Sequence, residues 1–139
     1  MPEITLAPGS EESALAFMLS DLLRQNLKSR PEKVEDFNAL NIGVGIVAKG
    51  PDVGITMQFE KGKLTCHDGL VGNPGIVINT DLLVFTDLIN IKIKSGMPYF
   101  FDEIGKSIIV KLLKRELKLK GLLTHPFTLV RLIRVMSIA

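Results

Sequence analysis

Cys66, His67 and Asp68 place the residue types of a nucleophilic catalytic triad side by side. A cysteine nucleophile needs a base to take its proton and a carboxylate to orient that base. These residues lie in a strand-like segment, where the side chains of neighbouring residues point to opposite faces. His67 therefore cannot reach Cys66. We predict a buried structural cysteine beside an exposed histidine, and no catalytic residue in this segment.

Metal and cofactor sites have equally little support in the sequence. His67 and His125 are the only histidines, and apart from the triplet above neither has a carboxylate or thiolate at a spacing typical of metal ligands. The segment 43–48 formally matches a dinucleotide-binding fingerprint, and Asp68 follows twenty residues beyond it. Its strand-like alternation continues through the glycines, however, and Gly50-Pro51 follows where a helix should begin. We predict no metal and no cofactor.

Two pairs of carboxylates could in principle act as general acid and base. Asp102 and Glu103 are adjacent, and Asp81 and Asp87 lie close together along the chain. All four stand at predicted helix starts or on helix surfaces, where capping and solvation explain acidic residues. The sequence therefore predicts a protein that is not an enzyme. The alternative, an enzyme acting on an acyl substrate, needs folding to bring a base and a nucleophile together.

The chain has more apolar residues than such chemistry requires. It has 139 residues, of which 46% are hydrophobic, and its mean hydropathy is +0.28. This length suits a single domain with a real core. The longest runs without charge have 12 residues, whereas a membrane-spanning helix needs about 20. We predict no membrane span, and we expect the surplus apolar side chains to face a ligand, a partner or a membrane surface.

Cysteine content indicates the cellular location of the protein, and charge distribution indicates its binding partners. One cysteine excludes an intrachain disulfide, and the N-terminal residues show no secretory signal, so we expect a cytoplasmic protein. Residues 1–70 contain 7 basic and 10 acidic side chains, whereas residues 71–139 contain 10 basic and 5 acidic ones. This bias favours transient contact of the C-terminal half with an anionic membrane, although solvated surfaces are the simpler explanation. Aromatic residues are too few for nucleic-acid stacking.

The pattern of residues predicts one domain at 10–139 after a flexible tail at 1–9. Ser10 is expected to start a helix that Pro31 ends, and a short helix follows. Period-two alternation predicts five strands, at 42–49, at 53–60, around Leu64 and Cys66, at 76–79 and at 116–120. Further helices are expected at 81–90, at about 99–115 and at about 125–137. The fold class is therefore α+β, with the helices on one face of the sheet.

Two details of this arrangement concern packing. Glycines at 43, 45 and 54 predict a bare, curved patch of sheet. In the helix at 99–115, Ile104, Ile108, Ile109, Leu112 and Leu113 are expected to share a broad apolar face opposite Lys106, Lys111 and Lys114. Gly105 falls within that face and leaves room for close packing or for a ligand. The last helix is apolar around most of its circumference.

Three segments of the chain form a recognisable set: the hairpin at 55–63, the strand and aspartate-started helix at 76–85, and Leu117-Lys118-Leu119-Lys120-Gly121 followed by an apolar helix. In their order and residue types they resemble the sterol carrier protein 2 family. The resemblance covers about residues 32–137. It implies a single five-stranded, mostly antiparallel sheet whose helices enclose an apolar tunnel. It also implies non-enzymatic binding and transfer or presentation of a fatty acyl, phospholipid, sterol or isoprenoid ligand, as in a lipid-handling accessory factor.

The expected ligand-binding residues are long apolar side chains of the strands and of residues 81–137. They are Met57, Phe85, Ile89, Tyr99, Phe100, Phe101, Ile104, Ile108, Leu112, Phe127, Val130 and Ile133. For any single member of this set, an ordinary core position is an equally good interpretation. Lys106, Lys111, Lys114, Arg131 and Arg134 are the expected contacts with anionic headgroups. The alternative to a lipid carrier is an interaction module whose apolar groove takes a partner helix or a second copy of the chain.

Overall fold

The computed structural model describes residues 3–9, 13–49, 53–94, 97–115, 117–121 and 124–138 of the chain. These residues form an α+β fold in which helices pack on a mixed sheet. The elements in chain order are β1 (Glu3–Leu6), α1 (Ala14–Ser29), α2 (Lys33–Ala39), β2 (Gly43–Lys49), β3 (Val53–Phe59), β4 (Lys63–Asp68), β5 (Ile76–Asp81), α3 (Leu82–Ile89), β6 (Ile93–Lys94), β7 (Met97–Pro98), α4 (Glu103–Leu113), β8 (Lys118–Lys120) and α5 (Pro126–Met136).

The main sheet has six strands in the order β1-β4-β3-β2-β5-β8. Three of its strand pairs are antiparallel, whereas β1 pairs parallel to β4 and β2 pairs parallel to β5. The prediction of five strands is therefore wrong. The additional strand, β1, lies in the segment that the sequence assigns to a tail. Its four residues alternate with period two, but a segment so short is a weak strand signal without a partner.

The edge strand β1 is tied to its neighbour at both ends. The backbone N–H of Glu3 donates to the carbonyl of Gly62 at 2.9 Å, and that of Ala7 donates to the carbonyl of Cys66 at 2.8 Å. Ala7 is buried. Pairing with a strand about sixty residues away along the chain decides the conformation of this segment, and such a pairing cannot be predicted from a local window.

Alternation along the strands produces the buried face of the sheet as predicted. Val44, Met57 and Cys66 lie side by side on β2, β3 and β4, and all three are fully buried. The hairpin at Lys61-Gly62 has positive φ at both residues, 47° and 98°, which is the geometry of a tight primed turn. The apolar residues of α1, α2, α3 and α5 complete one continuous core over this face.

The opposite face of the sheet is not bare. The loop at 69–75 folds back over it, and Leu70 Cδ2 lies 2.9 Å from the position that a Cβ on Gly45 would take. Thr56 holds this loop, because its buried hydroxyl donates to the Gly69 carbonyl and accepts from the Val71 N–H, both at 2.9 Å. The side chain of Leu70 thus packs against the glycine patch. The expectation that the sheet is covered on one face only, by the helices, is wrong.

The helix boundaries also differ in places from the predictions. Ser13 caps α1, accepting from the Ala16 N–H at 3.2 Å, whereas Ser10 lies outside the described residues. The helix predicted from about residue 99 begins at Glu103, after the short β6–β7 ladder. Asp102 sets this start because its carboxylate accepts from the Gly105 N–H at 2.7 Å. A side-chain cap satisfies an otherwise unpaired helix N–H, and this favours the later start.

Candidate functional site

Acidic caps position two of the helices that the sequence assigns to ligand binding. Asp81 ends β5 and accepts from the Val84 N–H at 2.8 Å, which starts α3 directly at the sheet edge. Asp102 starts α4 in the same way. Capping therefore explains both carboxylates, as predicted, because a carboxylate at a helix N-terminus pairs with free N–H groups and with the helix dipole.

The apolar side chains expected to bind a ligand fall into three groups by exposure. The residues buried in the core are Met57, Phe85, Ile108 and Ile133. The half-buried residues are Ile89, Tyr99, Ile104, Leu112 and Val130. The exposed residues are Phe100, Phe101 and Phe127. The structure brings the buried group together with the sheet in one core. The exposed group lies just before α4 and at the start of α5.

Helix α4 presents a second apolar face to solvent. Ile109, Val110 and Leu113 are 37%, 45% and 79% exposed, and the exposed Lys106 and Lys114 lie on the same side at helical spacing. The sequence places Ile109 and Leu113 on the buried face, opposite the lysines, and this assignment is wrong. The buried face consists of Gly105 and Ile108, with Ile104 and Leu112 half-buried beside them.

Other exposed apolar residues lie on α3, β7 and α5 and in the segment just before α4. Leu83 on α3 is 81% exposed, Met97 on β7 is 54% exposed, and Phe101 and Phe127 are 77% and 88% exposed. We call these four residues together with Ile109, Val110 and Leu113 the apolar surface. Helices α3 and α4 pack against each other, and α5 contacts both α3 and β7. Exposed apolar residues in such number on neighbouring elements are typical of a binding surface. The one sequence signal for it is that these helices are apolar around most of their circumference.

Gly105 allows the chain before α4 to pack directly on the helix. A Cβ at this position would lie 2.3 Å from the Tyr99 carbonyl oxygen and 2.5 Å from the Phe100 Cα. The glycine therefore serves close packing and leaves no vacant volume for a ligand at that point. The Tyr99 ring stacks edge-to-face with Phe101 at 5.8 Å, and the Lys94 ammonium lies 4.0 Å from the Tyr99 ring centroid.

The C-terminal end of α5 is held by buried polar groups. The Asn26 amide donates to the carbonyls of Val135, Met136 and Ser137 at 3.0, 3.1 and 3.3 Å. Lys33 also donates to the Ser137 carbonyl, and the Ser137 hydroxyl donates to the Ile91 carbonyl at 2.6 Å. The N-terminal end of α5 begins instead at exposed residues, His125, Pro126 and Phe127. Its C-terminal end is thus held by side-chain hydrogen bonds, whereas at its N-terminal end the backbone N–H of His125 donates to the Gly121 carbonyl at 2.8 Å.

A polar cavity of about 530 Å³ lies where α2 meets α5. Asp36 accepts from Arg134 at 2.6 Å, and its same oxygen lies 3.4 Å from Arg131 Nε. These two arginines, expected as headgroup contacts, are therefore paired with a carboxylate inside a cavity. Of the lysines in the same prediction, Lys106 and Lys114 are exposed and Lys111 is half-buried.

Cys66, His67 and Asp68 are arranged as the strand geometry requires. Cys66 is fully buried on the core face, and burial raises the pKa of its thiol to about 11. A protonated thiol in an apolar core is a poor nucleophile. His67 is half-buried on the opposite face of β4, opposite Thr56. Among the residues that the structure describes, no three His, Cys, Asp or Glu side chains form a group that could hold a metal ion.

Comparison with solved structures identifies the type of fold. The structure superposes on a sterol carrier protein 2 with a TM-score of 0.51 at 12% sequence identity, covering 86% of this chain and 93% of the other. The ubiquinone synthesis protein UbiJ-SCP2 matches with a TM-score of 0.63 at 11% identity, covering 92% of this chain and 93% of the other. The protein therefore has a sterol carrier protein 2 type of fold, as the sequence resemblance suggested.

Sequence comparison adds no closer relative, because no protein-family model and no curated protein matches the sequence. Within the described ranges, no helix has both the length and the apolarity to cross a bilayer.

Proposed function

We propose that this protein binds a lipid-like ligand and exchanges it at a membrane without catalysing a reaction. The observation on which this depends is the apolar surface of α3, β7, α4 and α5 on a fold of the sterol carrier protein 2 type. The two solved structures of this fold are named for sterol carriage and for ubiquinone synthesis. Both names concern largely apolar molecules, which supports an acyl, sterol, phospholipid or isoprenoid ligand here.

In this proposal the ligand lies between the sheet and the helices, in an apolar tunnel that opens near Phe101 and Phe127. The polar contacts of Asn26, Lys33 and Ser137 fix one end of α5. The N-terminal end of α5, which begins at exposed residues, is proposed to move in order to admit a hydrocarbon chain. Ten buried methylene groups contribute roughly 8 kcal/mol before association costs. Affinity near the micromolar range follows without any specific polar contact.

The outward face of α4 is proposed to meet the membrane during exchange. Its apolar residues can enter the headgroup region while Lys106 and Lys114 contact anionic lipids. Each lysine near such a surface contributes about 1 kcal/mol. Binding to vesicles that contain phosphatidylglycerol should therefore weaken roughly thirtyfold in the double variant Lys106→Gln/Lys114→Gln, and it should weaken with added salt. Lys28→Gln, an exposed lysine on α1, is the matched control.

Native mass spectrometry of the purified protein, followed by solvent extraction, tests the carrier function directly. We expect a bound lipid-like mass, or saturable binding of a fluorescent fatty acid or sterol probe by the delipidated protein. Phe127→Ser should slow the transfer of that probe to vesicles, whereas Phe17→Ser should not. Phe17 is also exposed, at 57%, but it lies on α1. A protein that is empty and binds neither probe would refute the proposal.

The apolar surface also favours one other function, an interaction module for a partner helix or a second copy of this chain. The face formed by Ile109, Val110 and Leu113 has the spacing used in helix-in-groove recognition. Light scattering coupled to chromatography separates the two proposals. A tight dimer that contains no extractable lipid, and that Leu113→Ser converts to a monomer, would establish the interaction module instead.

A further inference from the structure

The polar cavity at the junction of α2 and α5 is distinct from the apolar surface. Its volume of about 530 Å³ falls within the range of about 300–1,000 Å³ typical of small-molecule sites. Four basic residues line it, Arg30, Lys33, Arg131 and Arg134. Arg30 is exposed, so the cavity opens to solvent on that side.

Three carboxylates line the same cavity, and their positions differ. Asp36 is mostly buried, with a side chain 20% exposed, and pairs with both arginines of α5. Glu32 and Glu35 are exposed. The charged lining residues that are buried or half-buried, which we call the inner part of the cavity, are therefore three cations and one carboxylate, and the two remaining acids lie where water screens them.

Arg131 and Arg134 stand three residues apart on α5, so their guanidinium groups lie on one face of the helix. Arg131 Nε is buried and, within the described residues, makes no hydrogen bond, although it lies 3.4 Å from Asp36. A guanidinium has five N–H donors in a planar fork that matches the oxygens of phosphate. Lys33 is 6% exposed and also lines the cavity, and its ammonium donates to the Ser137 carbonyl.

We propose that this cavity binds the phosphate group of an organic phosphate through Arg131, Arg134 and Lys33. A phosphate supplies the negative charge that the inner part lacks. The partly buried Ile93, which also lines the cavity, provides an apolar contact for the organic part. The inference does not depend on the proposed function, because a free phosphate ester, which contains no lipid, presents the same chemistry as a phospholipid headgroup.

Burial of Lys33 is consistent with this inference. Desolvation lowers the pKa of its ammonium, Arg30 lowers it further, and Glu32 and Asp36 raise it. A bound anion would raise that pKa by neutralising the neighbouring positive charges.

The test uses two probes, glycerol 3-phosphate and dioctanoyl phosphatidic acid below its micelle concentration. Binding is followed by NMR at the arginine Nε–H signals in about 0.15 M salt. We expect glycerol 3-phosphate to half-saturate below roughly 1 mM. Equal affinity for both probes would show that a free phosphate suffices, and clearly tighter binding of the lipid would show a headgroup source. Absence of binding by both probes would overturn the inference.

Variants assign the binding to the cavity. Arg131→Gln should weaken binding at least tenfold, and Arg131→Lys, which keeps the charge without the fork, should weaken it less. Lys118→Gln removes an exposed cation on β8, outside the cavity lining, and should leave binding unchanged. Asp36→Asn should strengthen binding, because it removes the competing carboxylate, while lowering the melting temperature. If the ion pairs of Asp36 were only structural, Asp36→Asn would lower the melting temperature without strengthening phosphate binding.

Binding of phosphate that Arg131→Gln leaves unchanged would overturn the inference, since the anion would then bind elsewhere. Loading of the fluorescent fatty acid probe is measured on the same samples. We expect Arg131→Gln to retain that loading. Failure of the phosphate site and failure of the lipid-carrier proposal are therefore separate results.

Discussion

Replacement of Asn26 by alanine tests how the end of α5 is held. The Asn26 amide reaches the last helical carbonyls, which have no partner within a helix. In the wild-type protein it donates to Val135, Met136 and Ser137. The first two of these residues are 0% and 3% exposed, so water cannot replace the amide without local opening.

The expected loss follows from the groups that become unpaired. The Ser137 carbonyl still accepts from Lys33, which leaves the carbonyls of Val135 and Met136 without this donor. Each unsatisfied buried carbonyl costs about 1–3 kcal/mol. We therefore expect Asn26→Ala to lower the free energy of unfolding by about 3 kcal/mol and the melting temperature by roughly 10 °C. Asn26→Asp should cost more, because it places a carboxylate against carbonyl oxygens.

Urea unfolding followed by circular dichroism measures this loss. Gln25→Ala is the matched control, because Gln25 is exposed and its bond to Asp21, at 2.8 Å, lies on the surface of the same helix. That control should change stability by less than about 0.5 kcal/mol. Hydrogen exchange should also accelerate at the amides of Ser137 and Ile138 in Asn26→Ala. A loss below about 1 kcal/mol would refute the inference that Asn26 anchors α5.

The remaining predictions concern packing, capping and pH. In a thermal melt, Gly105→Ala should lower the free energy of unfolding by more than about 3 kcal/mol, because the new Cβ would meet backbone atoms. Gly45→Ala should lower it by less than about 1 kcal/mol, because the nearest atom is the end of the flexible Leu70 side chain. Asp81→Ala should lower stability by about 1 kcal/mol through loss of the α3 cap. Burial raises the pKa of the Cys66 thiol, so the thiol stabilises the folded state fully below pH 9. This contribution to the free energy of unfolding is lost as the pH rises towards about 11. Urea titrations should therefore show the free energies of unfolding of wild type and Cys66→Ala converging by roughly 2–3 kcal/mol over this pH range. The measurement is the difference between the two proteins, because the lowered pKa of Lys33 changes the stability of both in the opposite direction.

The sequence alone predicted the parts of the fold that depend on short windows. The alternation along β2, β3, β4 and β5, the Lys61-Gly62 turn and the aspartate caps of α3 and α4 all rest on neighbouring residues. Backbone conformation and side-chain direction at such positions are set by local sterics and by hydrogen bonds over a few residues. The separation of Cys66 from His67 follows from the same geometry.

The candidate site was predicted less completely. The sequence identified the apolar helices and aromatic residues, but it could not decide which face of α4 packs inward. Both faces contain isoleucine and leucine, so periodicity leaves the rotation of the helix ambiguous. Close contact of Gly105 with the Tyr99 carbonyl and the Phe100 backbone settles that rotation. It leaves Ile109 and Leu113 facing solvent.

By itself, then, the sequence determined an α+β domain with surplus apolar side chains, because composition and periodicity are properties of the chain before it folds. The tertiary structure alone decided the addition of β1 to the sheet, the seat of Leu70 on Gly45, and the pairing of Asp36 with Arg134. Asp36 and Arg134 lie 98 residues apart. Contacts over such separations depend on how whole elements pack, and a local pattern contains no information about that packing.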